Sequence, residues 1–270
     1  MSMYKTYWHM STDPFTKELP VKDSFENEDL KQITSRLKHL RNIGGIGMIT
    51  GIPGGGKTRA VRSFAESLNP NLNKVVYTAV TNVSEVELFR NIAMELGLQP
   101  EYRKGANLNK INERMRRLYK EQNILPVIIM DEAHCIRKPD FFMSLQSMMN
   151  FEMDSRNYGL LILIGQPRLN DTLGLGINES FAERVTVNYM MKGISREETK
   201  EYIRSRMLLA EASPEIFDPS AVDAAYGCCQ GSIRKLNSIL QTALLEGCNR
   251  KAATISSEII MAAAADMAVV

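Results

Sequence analysis

The stretch GIPGGGKTR at residues 51–59 decides how the rest of this chain is interpreted. It has the spacing G-x-x-x-x-G-K-[ST], and it directly follows the apolar run GIGMIT at residues 45–50. Average residue frequencies would produce this spacing by chance in roughly 1% of chains of this length. A glycine-rich turn without a ligand is therefore a weak alternative, and the stretch predicts a phosphate-binding loop.

The context of this loop is the one that phosphate binding needs, because a predicted strand leads in and a predicted helix leads out. Backbone N–H groups of a glycine-rich turn point inward, and the N-terminus of the next helix adds partial positive charge. We expect Lys57 to contact the β- and γ-phosphates of ATP and the Thr58 hydroxyl to bind Mg²⁺. The predicted nucleotide-binding residues are Gly51, Pro53, Gly54, Gly55, Gly56, Lys57, Thr58, Arg59 and Asp131.

A second motif, PVIIMDEAH at residues 126–134, supplies carboxylates. A buried strand ending in Asp131 places that side chain at the carboxyl edge of a parallel sheet, where ligands collect. Thr58 and Asp131 are therefore the predicted metal-binding residues. Glu132 is positioned to orient or deprotonate an attacking water, which favours ATP hydrolysis over a kinase reaction. The alternative is a strand that merely ends in surface acids.

The letters DEAH also name a helicase class, but that class needs a second motor domain. Fewer than 140 residues follow His134, so we do not expect one. His134 itself could contact the site, although packing at a helix start is the favoured interpretation.

Bulk composition indicates a soluble globular protein, with 44% apolar and 24% charged residues among 270. A net charge of +2 does not by itself imply a nucleic-acid partner. The four cysteines form no CxxC pair and show no zinc-ligand spacing, so reduced thiols are expected. With no apolar leader and no run long enough to cross a bilayer, the sequence predicts a cytoplasmic protein.

Apolar runs alternate with helical patterns up to residue 191, and only helical patterns follow. This predicts an α/β fold, with a parallel sheet of the P-loop NTPase type, helices on both faces, and a small all-helical lid. The predicted strands span residues 46–50, 74–78, 125–130, 160–165 and 185–189. Helices are expected at 28–40, 58–68, 84–96, 107–121, 140–152, in pieces over 168–183, and at 195–210, 219–226, 232–246 and 256–268. The predicted domains are an N-terminal arm (1–35), a nucleotide-binding domain (36–191) and the lid (192–270).

With both motifs and the helical tail in place, the chain resembles the AAA+ ATPases. It is more narrowly similar to the ExeA/GspA-type branch and to the transposition regulators TnsC, MuB and IstB. The narrower resemblance rests on YKTYWHMSTDPFTKELP at residues 4–20, IGQPRL at 164–169 and GSIRKLN at 231–237.

The resemblance implies roles for three further residues. It places Gln166 at the sensor-1 position beside the γ-phosphate, Arg234 at sensor 2, and Arg184 at the arginine finger that reaches a neighbouring subunit. Alternatively, Gln166 caps a turn, Arg184 pairs with Glu179 or Glu183, and Arg234 is an exposed helix residue. The candidate catalytic residues are Glu132, Lys57, Arg184, Gln166 and Arg234.

A basic segment, residues 103–120, has seven positive charges and only one negative charge, that of Glu113. Its apolar residues recur three and four apart, so one helix face can pack while the other carries the charges. Phosphate contacts of this kind position a protein on DNA without reading its sequence. The alternative is a solvated basic face. The candidate DNA-binding residues are Arg103, Lys104, Lys110, Arg114 and Arg117.

Together these features predict a Mg²⁺-dependent AAA+ ATPase that oligomerises on DNA, as a ring or filament, and regulates transposition by recruiting a transposase. The transposase role is implied by the resemblance alone. The alternatives are an ExeA-like ATPase of secretion machinery, and a helicase loader or replication initiator. A small-molecule kinase is the least favoured, because it has no use for the helical lid or the Asp131–Glu132 pair.

Overall fold

The computed structural model describes most of the chain, namely residues 3–16, 25–81, 84–136, 138 and 140–267. Parts of the predicted arm, residues 1–2 and 17–24, lie outside this description, as does residue 268 at the end of the last predicted helix. Within the described residues, no helix combines the length and the apolar character needed to cross a membrane.

The chain forms two compact units. The sheet unit comprises Leu30–Gly51 and Lys57–Met191. The helical unit comprises Met1–Asp29, Ile52–Gly56 and Lys192–Val270. Residues 52–56 of the glycine-rich loop thus belong to the helical unit. The strand before the loop and the helix after it both belong to the sheet unit.

The sheet unit contains a five-stranded parallel sheet in the order β2-β3-β4-β1-β5. All five predicted strands are confirmed, with ends shifted by at most two residues. The strands are β1 (Gly45–Gly51), β2 (Asn73–Ala79), β3 (Leu125–Asp131), β4 (Leu160–Gly165) and β5 (Val185–Met191). The central strands β1 and β4 are buried along their whole length, which explains why they appear in the sequence as continuous apolar runs.

Helices cover both faces of this sheet, and each face has its own apolar core. One face packs against α2 (Glu28–Ile43) from Leu30 onward and against α3 (Lys57–Ser67). The other face packs against α4 (Glu85–Glu95), α5 (Lys104–Gln122), α6 (Asp140–Met148), α7 (Arg168–Leu173) and α8 (Glu179–Ala182). The predicted α/β fold class is therefore confirmed.

Helix α6 ends four residues before the predicted end at residue 152. The amide of Asn112, on α5, donates to the carbonyls of Met148 and Asn150, at 2.9 and 3.0 Å. These bonds satisfy carbonyl groups at the end of the helix, so the chain can turn there. The prediction of a longer helix was wrong because this partner is distant in sequence.

The helical unit packs α9 (Arg196–Leu209), α10 (Pro219–Cys229), α11 (Ile233–Asn249) and α12 (Ser257–Asp266) around one apolar core. Helix α9 begins with the predicted capping box between Ser195 and Glu198. The first described residues belong to this core as well. A short helix that the sequence patterns do not predict, α1 (Met3–Tyr7), leads to Trp8, whose buried indole donates to the Leu244 carbonyl at 2.8 Å.

Helix α11 continues to Asn249 and does not stop at Gly247, so its predicted end was wrong. A Cβ at Gly247 would overlap the Ile255 side chain and lie 2.9 Å from the Trp8 ring. Glycine occurs here because neighbouring side chains approach the helix backbone closely, and not because the helix ends.

Candidate active site

The site lies where β1, β3 and β4 end. These strands are parallel neighbours, so Gly51, Asp131 and Gly165, their last residues, reach the same edge of the sheet. The loop of residues 52–56 continues directly from β1, and α3 starts at Lys57. The two motifs that the sequence separates by some seventy residues are thereby brought together in the fold.

The Asp131 carboxylate is the centre of the hydrogen bonding at this edge. One oxygen accepts hydrogen bonds from the Thr58 hydroxyl at 2.7 Å and the Tyr77 hydroxyl at 3.1 Å. The other accepts from the backbone N–H of Glu132 at 2.8 Å. Burial, together with the negative charge of Asp131, raises the pKa of Tyr77 to about 12, so the phenol remains a donor at neutral pH. Sequence analysis missed Tyr77, because no motif marks a tyrosine on the neighbouring strand.

The Thr58 and Asp131 oxygens fit Mg²⁺. Hydroxyl and carboxylate groups are the hard oxygen ligands that this ion prefers. Thr58 Oγ1 donates to Asp131 Oδ2 at 2.7 Å, so the two oxygens lie side by side. Both predicted metal-binding residues therefore lie where a shared ion could contact them.

The glycine-rich loop fits a chain of phosphates. Gly54 and Gly56 have φ values of 75° and 104°, which side-chain-bearing residues rarely adopt. The Lys57 ammonium donates to the Gly51 carbonyl at 2.9 Å, so it lies at the end of β1, where the loop begins. A phosphate oxygen is a stronger, charged acceptor that can replace this neutral one.

Within the helical unit, residues 53 and 54 of the loop contact the start of α11. The Ser232 hydroxyl donates to the Pro53 carbonyl at 3.0 Å, and the Arg234 backbone N–H donates to the Gly54 carbonyl at 3.2 Å. A Cβ on Gly54 would lie 2.7 Å from Arg234 Cβ, so this close approach also requires glycine. Arg234, the predicted sensor 2, is thus adjacent to the loop in the chain's own fold.

Glu132 and Gln166 converge on a third residue, His134. Glu132 has left-handed backbone angles, φ 57° and ψ 31°, immediately after the end of β3. A carboxylate oxygen of Glu132 lies 3.2 Å from His134 Nδ1, and the backbone N–H of Gln166 donates to the same nitrogen at 3.2 Å. Burial, followed by the positive charge of Arg168, lowers the pKa of His134, so the imidazole is neutral at pH 7.

Arg184 lies at the opposite edge of the sheet. It directly precedes β5, whose first residue, Val185, pairs with Ile46 near the start of β1. A strand of seven residues spans about 20 Å. Arg184 is therefore separated by roughly that distance from the carboxyl edge of its own chain, and the fold does not bring it to Asp131.

The basic residues of α5 are largely engaged with partners. Lys104 pairs with Glu85 at 2.9 Å, and the Arg114 Nε donates to the Leu96 carbonyl at 3.2 Å. Three further ion pairs join Lys110 to Glu101, Arg117 to Glu113 and Lys120 to Glu152. The basic face thus has intramolecular partners where the sequence predicts side chains available to phosphates. Because half-exposed pairs contribute only about 0–1 kcal/mol, DNA could still displace them, and the DNA contact stays a prediction.

Comparison with known proteins agrees with this geometry. Residues 41–173 match the family model described as an AAA domain. Cdc6p from Pyrobaculum aerophilum has a similar structure, with a TM-score of 0.72 at 15% identity over 95% of this chain and 72% of that one. The chain therefore has a P-loop NTPase fold that matches this structure. Drosophila ORC, in a structure bound to DNA, also gives a TM-score of 0.72, at 14% identity, over 100% of this chain and 67% of that one.

A curated relative is general secretion pathway protein A from Aeromonas hydrophila. It is 27% identical over 248 residues, which is 90% of this chain and 44% of that protein. The chain thus spans less than half the length of this relative. The expected AAA+ resemblance is supported, and so is similarity to the ExeA/GspA-type branch. The narrower resemblance to TnsC, MuB and IstB stays a prediction.

Proposed function

We propose that this protein is a Mg²⁺-dependent ATPase. The observation that carries the proposal is the placement of the Thr58 hydroxyl 2.7 Å from the Asp131 carboxylate, directly after a glycine-rich loop and beside Glu132. If β3 merely ended in surface acids, the Thr58 hydroxyl at the start of α3 would not donate to the carboxylate at the end of that strand. The arrangement therefore supports binding of a metal–nucleotide complex at this edge of the sheet.

Each residue has a distinct role in the proposed reaction. The loop N–H groups and Lys57 would bind the phosphates, and Thr58 and Asp131 would hold Mg²⁺, which would supply charge neutralisation at the phosphate oxygens. Glu132 orients the attacking water and accepts its proton. Gln166 and Arg234 are assigned the sensor-1 and sensor-2 roles that the resemblance to AAA+ ATPases implies.

Hydrolysis would also depend on a second copy of the chain. Arg184 lies about 20 Å along β5 from the carboxyl edge, so it cannot serve its own site without refolding. We propose that it acts on a neighbouring subunit, where it stabilises charge in the transition state. The active form would then be a homo-oligomer, with residues 36–191 as its nucleotide-binding domain, 192–270 as the lid and 1–35 as an arm.

We further propose that the oligomer assembles on duplex DNA and recruits a transposase or another recombination protein. One support is the positive charge of α5 and of the residue before it, where Arg103, Lys104, Lys110, Arg114 and Arg117 would contact phosphates. The other is the fold shared with DNA-bound ORC. Because these contacts involve the backbone of DNA, binding would not depend on its sequence.

A role in assembling secretion machinery is a second candidate. It is favoured by the 27% identity to general secretion pathway protein A across 90% of this chain. A role as a replication initiator or helicase loader has weaker support, because the likeness to domain III of the Thermotoga maritima replication initiation protein DnaA is one of fold alone.

The ATPase proposal is tested by replacing Glu132 with Gln. This variant keeps the size and polarity of the side chain but cannot accept a proton. We expect it to bind ATP as the unaltered protein does and to lose turnover by at least about a hundredfold, the usual contribution of a general base. Nucleotide affinity and phosphate release are measured on both proteins. Normal turnover by the variant would refute the role of Glu132.

The DNA proposal is tested by fluorescence anisotropy of a labelled random-sequence duplex, with and without a slowly hydrolysed ATP analogue. Nucleotide-dependent binding that weakens with added salt would support assembly on DNA. A charge-removal variant, Arg117→Gln, should reduce both affinity and salt dependence. No binding in either nucleotide state would favour the secretion role.

A further inference from the structure

His134 is a buried polar residue for which the proposed reaction has no use. Its side chain is only 2% exposed, although the residue lies three positions after Asp131 and close to the proposed general base. Two groups contact one nitrogen of its ring: the Glu132 carboxylate and the Gln166 backbone N–H, each at 3.2 Å from Nδ1.

The fold is shaped to make these contacts. The left-handed conformation of Glu132 turns the chain from β3 into the 3-10 helix Ala133–Cys135, and this directs His134 toward the end of β4. A Cβ at Gly165 would lie 3.2 Å from the His134 backbone nitrogen and 3.4 Å from its Cβ. The absence of a side chain at Gly165 therefore lets the imidazole reach the backbone of the next residue, Gln166.

The described residues include one cluster of possible metal ligands, formed by Glu132, His134 and Cys135. Glu132 contacts Nδ1 of the ring, whereas the Cys135 sulfur lies 3.8 Å from Nε2. A histidine binds an ion through one nitrogen, and its two nitrogens point in different directions. The arrangement therefore suits a hydrogen-bonded imidazole better than a metal ligand.

Nδ1 cannot satisfy both of its neighbours. To accept the Gln166 N–H it needs a free lone pair, and that lone pair repels the Glu132 carboxylate. To donate to Glu132 it needs a proton, and the Gln166 N–H then loses its acceptor. The backbone at Gln166 and the carboxylate of Glu132 therefore compete for one atom.

We propose that His134 is a positioning residue for hydrolysis, which couples the backbone at Gln166 to the side chain of Glu132. In the structure both groups lie 3.2 Å from Nδ1; when the bond from the Gln166 N–H tightens, Nδ1 has no proton to offer Glu132, which then turns toward the attacking water. When that N–H moves away, the neutral ring can exchange its proton from Nε2 to Nδ1 through solvent, and the Nδ1–H then donates to Glu132 and keeps it from the water. The inference rests on the proposed ATPase function. It means that the position of Glu132 would respond to the end of β4, next to Gln166, which would face the γ-phosphate.

Two variants test this coupling. His134→Leu keeps a similar volume without a polar atom, whereas His134→Asn places an amide near the position of Nδ1, where it can accept or donate. Nucleotide affinity, measured with a fluorescent ATP analogue, should stay within about twofold of the unaltered protein for both. The expected kcat is at least about tenfold lower for His134→Leu, because the Gln166 N–H then has no acceptor and nothing directs Glu132 to the water, and it is within about threefold of normal for His134→Asn. Cys135→Ala, at the adjacent and exposed position, is the matched control and should behave normally.

A combined variant separates positioning from general damage. If His134 acts through Glu132, then His134→Leu has little further effect on the residual turnover of Glu132→Gln, followed with radiolabelled ATP. Three results would each overturn the role of His134. They are a normal kcat for His134→Leu, equal losses of kcat for His134→Leu and His134→Asn, and a full further loss of kcat when His134→Leu is added to Glu132→Gln. Absence of turnover by the unaltered protein would instead refute the proposed function, and this role with it.

Discussion

Lys57 shows how the nucleotide site is prepared at the scale of single residues. Its ammonium donates to the Gly51 carbonyl at 2.9 Å, a neutral acceptor that a phosphate can displace. We expect Lys57→Ala to weaken ATP binding by at least about tenfold, because a charge-assisted hydrogen bond to phosphate contributes about 1.5–3 kcal/mol. Titration with a fluorescent ATP analogue measures this loss. Lys74→Ala, on an exposed position of β2, is the control, and an affinity for Lys57→Ala equal to that of the unaltered protein would contradict the loop assignment.

Tyr77 gives a second prediction at this scale. Its hydroxyl is one of three donors to Asp131, and the other two remain when it is removed. Tyr77→Phe should lower the free energy of unfolding by about 0.5–1.5 kcal/mol, the usual value of one such hydrogen bond. Urea unfolding provides the measurement. An unchanged midpoint would mean that water replaces the phenol at Asp131 without cost.

Some residues of the site could be predicted from the sequence, and others could not. Thr58 and Asp131 occur in motifs whose spacing is dictated by phosphate and metal chemistry, so their meeting could be predicted. Tyr77 and the contacts of His134 depend on which strands are neighbours, since β3 lies between β2 and β4. No local pattern in the sequence encodes that order.

At the scale of elements, two helical glycines of the helical unit have opposite surroundings. A Cβ added to Gly227 in α10 would meet nothing within 4 Å, whereas one added to Gly247 in α11 would meet Trp8 and Ile255. Gly227→Ala should stabilise the protein by about 0.5–1 kcal/mol, because alanine is the better helix former. Gly247→Ala should destabilise it by about 1–3 kcal/mol through overpacking. Thermal unfolding compares the two, and equal shifts would show that the Trp8 contact is dispensable.

The existence of the elements could be predicted, and some of their ends could not. The strands are recognisable because buried parallel strands give uninterrupted apolar runs, as in β4. The end of α6 depends on Asn112, and the glycine within α11 depends on Trp8. Both partners are distant in sequence, so local propensity could not reveal them.

At the scale of the whole molecule, catalysis is predicted to need more than one chain. Arg184→Ala and Glu132→Gln should each abolish turnover while binding ATP. When the two are mixed, sites on Arg184→Ala subunits keep Glu132 and receive Arg184 from their neighbours, so we expect partial recovery. Phosphate release across mixing ratios measures it. A mixture that stays inactive would refute the proposed role of Arg184 at a neighbouring subunit.

The burial of Trp8 against Leu244 also has a consequence for how the protein is made. A ribosome adding about 5–20 residues per second needs roughly 10–50 s to pass from one partner to the other. The tryptophan therefore emerges long before its acceptor exists, while the whole sheet unit can fold in the interval. Completion of the helical core is then a late step of biosynthesis, and until it occurs the apolar segment around Trp8 stays exposed to chaperones and to aggregation.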